Sequence, residues 1–259
     1  MERGGKWRGG GGKMSGMKRF FAEGIVAGGE YALTGEEFEH AKTVLRLSVG
    51  DEAVLLGNDG MEYTAIVTAT DKKSMTFHVL SAKAGDKEAE TEIALYFGFL
   101  KNADKNEFAV QKAVELGVKR IALFTSAYSS AFLSENKAER LRKVAKEAAK
   151  QCMRSSYPEI AVFSSFEEAA KDAARYGVKL FACEFAEKSD EPLKNLDADR
   201  AKNGVAIFVG SEGGFSEKEA AFARENGCTF VSLGKRILRA ETAAVALTSI
   251  VAFLTGELE

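Results

Sequence analysis

Three cysteines and two histidines among 259 residues leave little for metal or disulfide chemistry. Cys152, Cys183 and Cys228 share no CxxC spacing, and the histidines, His40 and His78, are far apart. A disulfide scaffold and a Cys/His zinc site are both poorly supported, so a metal-free protein in a reducing, cytoplasmic setting is expected. No run approaches the ~18 uninterrupted apolar residues of a membrane span. The first sixteen residues lack the apolar stretch of a secretory signal. Neither sign of charge dominates, with 36 Lys and Arg against 38 Asp and Glu. The phosphate-binding spacings GxxxxGK(S/T) and GxGxxG are missing as well, which disfavours a generic nucleotide-binding domain. What the chain does have is apolar material: at 46% hydrophobic residues it can bury a core, in one or two domains.

Three regions follow from the pattern. Residues 1–16 hold seven glycines, four Lys or Arg and one acid, too little apolar surface to offset ordering. They read as a flexible Gly-rich arm, either a basic RNA-touching tail or residues upstream of a true start at Met17. From residue 17 to 88, β-rich runs at 52–56, 62–68 and 74–80 are separated by Asn58-Asp59-Gly60 and Asp71-Lys72-Lys73. A helical piece with Thr34 as N-cap interrupts them, and a small β-barrel-like module fits. Its 8 basic and 12 acidic residues leave no obvious nucleic-acid footprint. From 89 to 259 strand-length apolar runs at 93–100, 121–124, 179–183, 205–209 and 230–233 alternate with amphipathic segments. That rhythm predicts an α/β domain, a parallel sheet with helices on its faces.

In open parallel sheets, ligands bind beyond the carboxyl ends of strands. Three such ends carry unusual loops: Cys183-Glu184-Phe185, Val209 to Phe215, and Leu233 to Thr242. The glycines at 210, 213, 214 and 234 let backbone amides approach a ligand closely. Ser216 with Glu219 forms a capping box that opens the next helix. Glu212 would repel a phosphate, so a cationic or zwitterionic ligand suits the loop better. S-adenosylmethionine, with its sulfonium and ammonium groups, is one such ligand; a plain strand-to-helix turn is the competing reading. Arg239 and Glu241 open a helix of small residues, where a cation is disfavoured; an internal ion pair is the alternative to a functional role.

Gly210-Ser211-Glu212-Gly213-Gly214-Phe215-Ser216, followed by Ser232 to Ala243, resembles the ribosomal RNA small subunit methyltransferase E family of SPOUT enzymes. The blocks at 17–21, 40–47, 111–118 and 148–154 agree, in the same order. The resemblance implies a PUA-like RNA-binding β-barrel, then a SPOUT α/β domain with a trefoil knot. It also implies a homodimer that methylates N3 of a uridine in 16S rRNA, in the decoding region of the small subunit, with S-adenosylmethionine as donor. The implied cofactor contacts are Cys183, Glu184, Val209, Gly210, Ser211, Glu212, Gly213, Gly214, Ser232, Leu233, Gly234, Ile237, Leu238, Arg239 and Thr242. Three positions depart from the family pattern: Ser211 replaces a usual proline, Cys152 a common serine, and 126–130 lacks an arginine often found there.

The helix expected over 135–154 holds seven Lys or Arg against three acids, either a solvated face or a set of phosphate contacts. With the resemblance, Lys18, Arg19, Arg46, Lys112, Arg142, Lys146 and Arg154 are the candidate RNA contacts. His40 is a weaker acid/base candidate. Methyl transfer to N3 needs the nitrogen's lone pair, so a proton must leave and charge must be stabilised. Arg154 is the candidate for the electrostatic role, and Glu212 or Glu241 for proton acceptor or loop organiser. Other readings are a SPOUT enzyme acting on another RNA atom or a ribose 2′-hydroxyl, and a noncatalytic ribosome-assembly factor. None calls for a metal or a membrane.

Overall fold

The computed structural model describes residues 17–183 and 193–258. The arm at 1–16 and the loop residues Glu184 and Phe185 lie outside the described residues. The chain divides into two units at Asp86/Lys87.

In the first unit, β1 (Lys18–Phe21) and β2 (Glu30–Thr34) precede α1 (Gly35–Glu39), a π-helical turn (His40–Val44), β3 (Glu52–Leu56), β4 (Met61–Thr70) and β5 (Ser74–Ala84). The sheet order is β1-β3-β4-β5-β2, antiparallel except for the β1–β3 pair. Register shifts in β4 at Thr64/Ala65 and Val67/Ala69 curl it into a half-barrel. Alternation sends Ala53, Leu55, Ala65, Val67, Met75, Phe77 and Val79 inward onto Phe20 and Phe38. The turns form as the sequence predicts. Asp59 accepts from the Met61 amide at 2.8 Å, and Asp71 accepts from the Lys73 and Ser74 amides at 2.7 Å. Thr34 does occupy the N-cap position of α1, but its side chain makes no capping hydrogen bond.

The second unit alternates as expected. Its strands are β6 (Ile93–Gly98), β7 (Arg120–Phe124), β8 (Glu159–Phe163), β9 (Val178–Ala182), β10 (Val205–Val209) and β11 (Thr229–Val231). Its helices are α2 (Ala103–Glu115), α3 (Glu135–Gln151), α4 (Phe166–Asp172), α5 (Ala198–Ala201), α6 (Glu217–Glu225) and α7 (Ala240–Leu254). The sheet is parallel throughout, in the order β11-β9-β10-β6-β7-β8. Both faces are buried, which is why its strands read as unbroken apolar runs. Ala94, Tyr96, Ala122, Phe124, Phe181, Ala206 and Phe208 face one side and meet Phe166, Phe215 and Phe230. On that side Phe166 lies 5.3–5.7 Å from Phe124, Phe181, Phe208 and Phe215. Helix α7 packs against β10, β6 and α2. Strand β8, an edge strand, was not among the five that the pattern predicts.

Candidate functional site

Because every strand of the second sheet points the same way, the loops after β6, β7, β9, β10 and β11 emerge along one edge. β9, β10 and β11 are adjacent, so the strand ends that precede the three loops singled out in the sequence are neighbours. The Cys183 amide donates to Val231 O at 3.1 Å, tying the end of β9 to that of β11.

The loop after β10 is the best anchored. The Gly214 amide donates to Ser211 O at 2.9 Å, closing a tight turn. Phe215 then drops into the aromatic core, its ring centroid 4.1 Å from that of Phe181. The loop also crosses the end of β6. A Cβ on Gly98 would lie 2.4 Å from Ser211 N, so no side chain fits between the two backbones. Beyond that crossing, Ser211 Oγ meets Ser126 Oγ, on the loop after β7, at 2.9 Å. Glu212 Oε1 accepts from the Lys101 amide at 3.0 Å, on the loop after β6.

The predicted capping box is present. Ser216 and Glu219 bond reciprocally, and the second oxygen of Glu219 accepts from the Ala127 amide at 2.9 Å. A helix cap thus doubles as a clamp between two loops.

The loop after β11 is open. Ser232, Gly234 and Ile237 are exposed, Ile237 to 86%. Leu233 and Leu238 are half-buried, and Arg239 is the N-cap of α7 without a side-chain cap bond. In the first turn of α7, Glu241 Oε1 pairs with Lys105 Nζ at 3.1 Å, while its Oε2 is buried without a partner. The internal ion pair considered for this helix start therefore exists, but it runs from Glu241 to α2 rather than to Arg239.

The candidate carboxylates Glu212 and Glu241 thus both attach to the five-residue stretch 101–105. Sequence reading missed that stretch. Its signal was Asn102, the N-cap of α2 that accepts from the Asp104 amide at 2.8 Å, just past a predicted strand. Asn106, fully buried, stiffens the same loop by bonding both the amide and the carbonyl of Leu100.

Arg154 requires a correction. It was the candidate for stabilising charge on the reacting base and for an RNA contact. Its side chain is 3% exposed and bonds Glu88 through Nε and Nη2, at 3.1 and 2.8 Å. Its Nη1 donates to Val114 O and Val118 O, at 3.0 and 2.9 Å. Buried and with four of its five N–H groups bonded, it does not face RNA or substrate, and the residue instead fastens the segment after α3 to the end of α2. Arg19 is corrected too, since its side chain is buried and paired with buried Glu62 at 2.6 Å.

The other RNA candidates divide. Lys18 and Arg46 are exposed. Lys112 pairs with Glu115 at 2.8 Å, and Arg142 pairs with Glu135 and Glu139 on its own helix. Lys146 lies over the Tyr157 ring. His40 packs edge-on against Phe20, a structural position. Among the described residues no cluster suited to a metal ion exists, and no helix is long and apolar enough to cross a membrane.

A parallel sheet with anchored loops at its carboxyl edge, joined to a curled β module, defines a class that the family comparisons name. Residues 87–252 match the RNA methyltransferase domain family, and residues 33–80 the RNA methyltransferase PUA domain. The chain belongs to the ribosomal RNA small subunit methyltransferase E family. It is 29% identical over 250 residues to ribosomal RNA small subunit methyltransferase E of Bacillus subtilis (strain 168), covering 92% of this chain and 97% of that protein. It is 30% identical over 220 residues to the Mesomycoplasma hyopneumoniae (strain 232) protein of that name, covering 84% and 91%. The solved structure of ribosomal RNA small subunit methyltransferase E from Neisseria gonorrhoeae bound to S-adenosyl methionine superposes with a TM-score of 0.82. It is 27% identical, and the match covers 92% of this chain and 98% of that one.

Proposed function

We propose that this protein transfers a methyl group from S-adenosylmethionine to N3 of a uridine in 16S rRNA, in the decoding region of the small ribosomal subunit. One observation carries the reading: the loop after β10 is fastened across the ends of β6 and β7, and its Glu212 bonds the same stretch, 101–105, as Glu241, whose Oε2 is buried without a partner among the described residues. The residues fit the donor. Its ammonium and sulfonium are cationic, and the loops offer the Glu212 and Glu241 carboxylates with a lysine on only one of them.

The backbones of 209–214 and 232–234, with Ile237, Leu238, Arg239, Thr242 and Cys183, would hold the donor; Glu184 belongs to the same proposal. When bound, S-adenosylmethionine supplies a methyl group activated by its sulfonium. The protein aligns the uridine nitrogen for in-line attack, and positioning carries much of the rate. The N3 proton has to leave. Glu212 is exposed, and its Oε1 is held by the Lys101 amide, which orients Oε2 to take that proton. Glu241, steadied by Lys105, organises the start of α7. Exposed Lys235 and Arg236, with Lys18 and Arg46, supply positive charge for phosphates.

The trefoil knot and the homodimer belong to this reading. Phe253, 65% exposed on α7, and Phe108 on α2 support a second copy. The cytoplasm, where ribosomes are, belongs to the same reading as the place of action.

The test is transfer of labelled methyl from S-adenosylmethionine to small subunits lacking the modification, followed by nucleoside mass spectrometry. Label in N3-methyluridine is expected. Label in a 2′-O-methyl nucleoside, or no transfer with the donor bound, would replace this reading with one of its alternatives.

A further inference from the structure

We infer that Tyr128 is the platform on which an unstacked RNA base lies at the methyl-transfer site, and that Ser126, Ser211 and Glu219 are the positioning residues that hold it. The inference rests on the function proposed above and adds a substrate contact that the candidate residues do not include.

Tyr128 lies on the loop after β7 and is 55% exposed. A large aromatic so exposed is ordinarily at the end of a loose loop. Here its neighbours are fixed on both sides. Ser129 Oγ accepts from the Ser126 amide at 2.9 Å, and the Ser129 amide donates back to Ser126 O at 3.0 Å. The Ser126 hydroxyl meets those of Ser129 and Ser211 at 3.1 and 2.9 Å. The Ala127 amide is held by buried Glu219. Tyr128 thus sits inside a closed set of bonds, two of which run to the loop after β10 or the helix that follows it.

Contact with that loop is direct. A Cβ on Gly213 would come within 2.6 Å of Tyr128 Cβ, so the tyrosine stands against the bare backbone of the residue next to Glu212. An exposed ring, carried on a backbone held beside the proposed donor loop and proton acceptor, meets the need of an RNA enzyme that must present one base. A stacked pyrimidine gains from any aromatic face, and a ring on a held backbone has few rotamers left to lose.

The test compares Tyr128→Ala and Tyr128→Phe in the full-length protein, using small subunits lacking the modification as substrate. Tyr128→Ala should raise KM for subunits between about fivefold and a hundredfold, the usual range for loss of one stacked base. Tyr128→Phe should stay close to wild type, because stacking needs the ring and not the hydroxyl. Calorimetry should give both variants the wild-type affinity for S-adenosylmethionine, which shows that the loops remain formed. If wild type methylates subunits and Tyr128→Ala does so with unchanged KM, the platform is refuted while the enzyme assignment stands. If Tyr128→Ala instead changes the sedimentation of the protein and not its KM, the ring belongs to a contact between copies, and the inference is overturned. Absence of methylation by wild type would remove the function on which both rest.

Discussion

The hydroxyls of Ser126 and Ser211 lie 2.9 Å apart, although the strands preceding them, β7 and β10, are separated in the sheet by β6. The contact exists because the loop after β10 passes over Gly98, where only a hydrogen occupies the space a side chain would fill. The proposed donor loop is therefore a bridge supported at two points, and its shape depends on groups that hold no ligand themselves.

Removing either hydroxyl should weaken the bridge modestly. Ser211→Ala is expected to cost about 1 kcal/mol of stability, the net worth of a buried neutral hydrogen bond. Because Ser126 and Ser211 share that bond, the double variant should cost less than the sum of the singles, by about 0.5–1 kcal/mol. Urea denaturation of the four proteins measures the coupling; strict additivity would mean that the hydroxyls do not bond in solution.

Glu241 should matter more to the donor than its lysine does. Glu241→Gln replaces the charged, unpartnered oxygen with a neutral group, and S-adenosylmethionine affinity is expected to fall by about tenfold. Lys105→Met leaves Oε2 in place and should change affinity by less. Calorimetry on both variants ranks them, and the reverse ranking would argue against Glu241 as a donor contact.

The Arg154–Glu88 pair predicts a pH dependence of stability. Burial by itself would raise the Glu88 carboxyl; the Arg154 hydrogen bonds and charge, with the Ser156 amide, outweigh it and hold the group below its ordinary 4.5. A carboxyl depressed in the folded state contributes stability above its unfolded value, and that contribution is lost as pH falls through the folded value. Wild type should therefore lose stability below about pH 4.5 more steeply than Glu88→Gln does. At neutral pH, Arg154→Met should lose about 3 kcal/mol, because half-buried Glu88 loses its counter-charge and the Val114 and Val118 carbonyls lose their donor. Thermal melts between pH 3 and 7 follow both effects.

Thr248 offers a gain. It is fully buried in α7, and its hydroxyl has no partner among the described residues. Thr248→Val keeps the shape and removes an unsatisfied group, so stability should rise by about 1 kcal/mol, or roughly 2–4 °C in Tm. An unchanged or lower Tm would show that the hydroxyl is satisfied in solution.

What the sequence made legible follows from how local each signal was. The strands 205–209 and 121–124 were readable because a sheet buried on both faces demands unbroken apolar runs, and Ser216 with Glu219 because a capping box lies within four residues. Strand β8 escaped because Glu159-Ile160-Ala161-Val162-Phe163 lies at the sheet edge, with Val162 exposed. The roles of Lys101, Lys105 and Ser126 could not be read, since each depends on a partner more than 80 residues away. Arg154 was misread for a related reason. A basic residue ending a basic helix looks solvated until Glu88, Val114 and Val118 are seen to surround it.

On the proposed function, the loop crossing Gly98 shapes a site for S-adenosylmethionine. Calorimetric titration of wild type and Gly98→Ala with S-adenosylmethionine tests it most directly. The added methyl has to push the Ser211 backbone aside, at a cost of about 1–3 kcal/mol. Saturable binding by wild type, weakened about tenfold or more in Gly98→Ala, is the predicted result. Equal affinities in a folded variant, or no binding by wild type, would show that this loop does not shape a donor site.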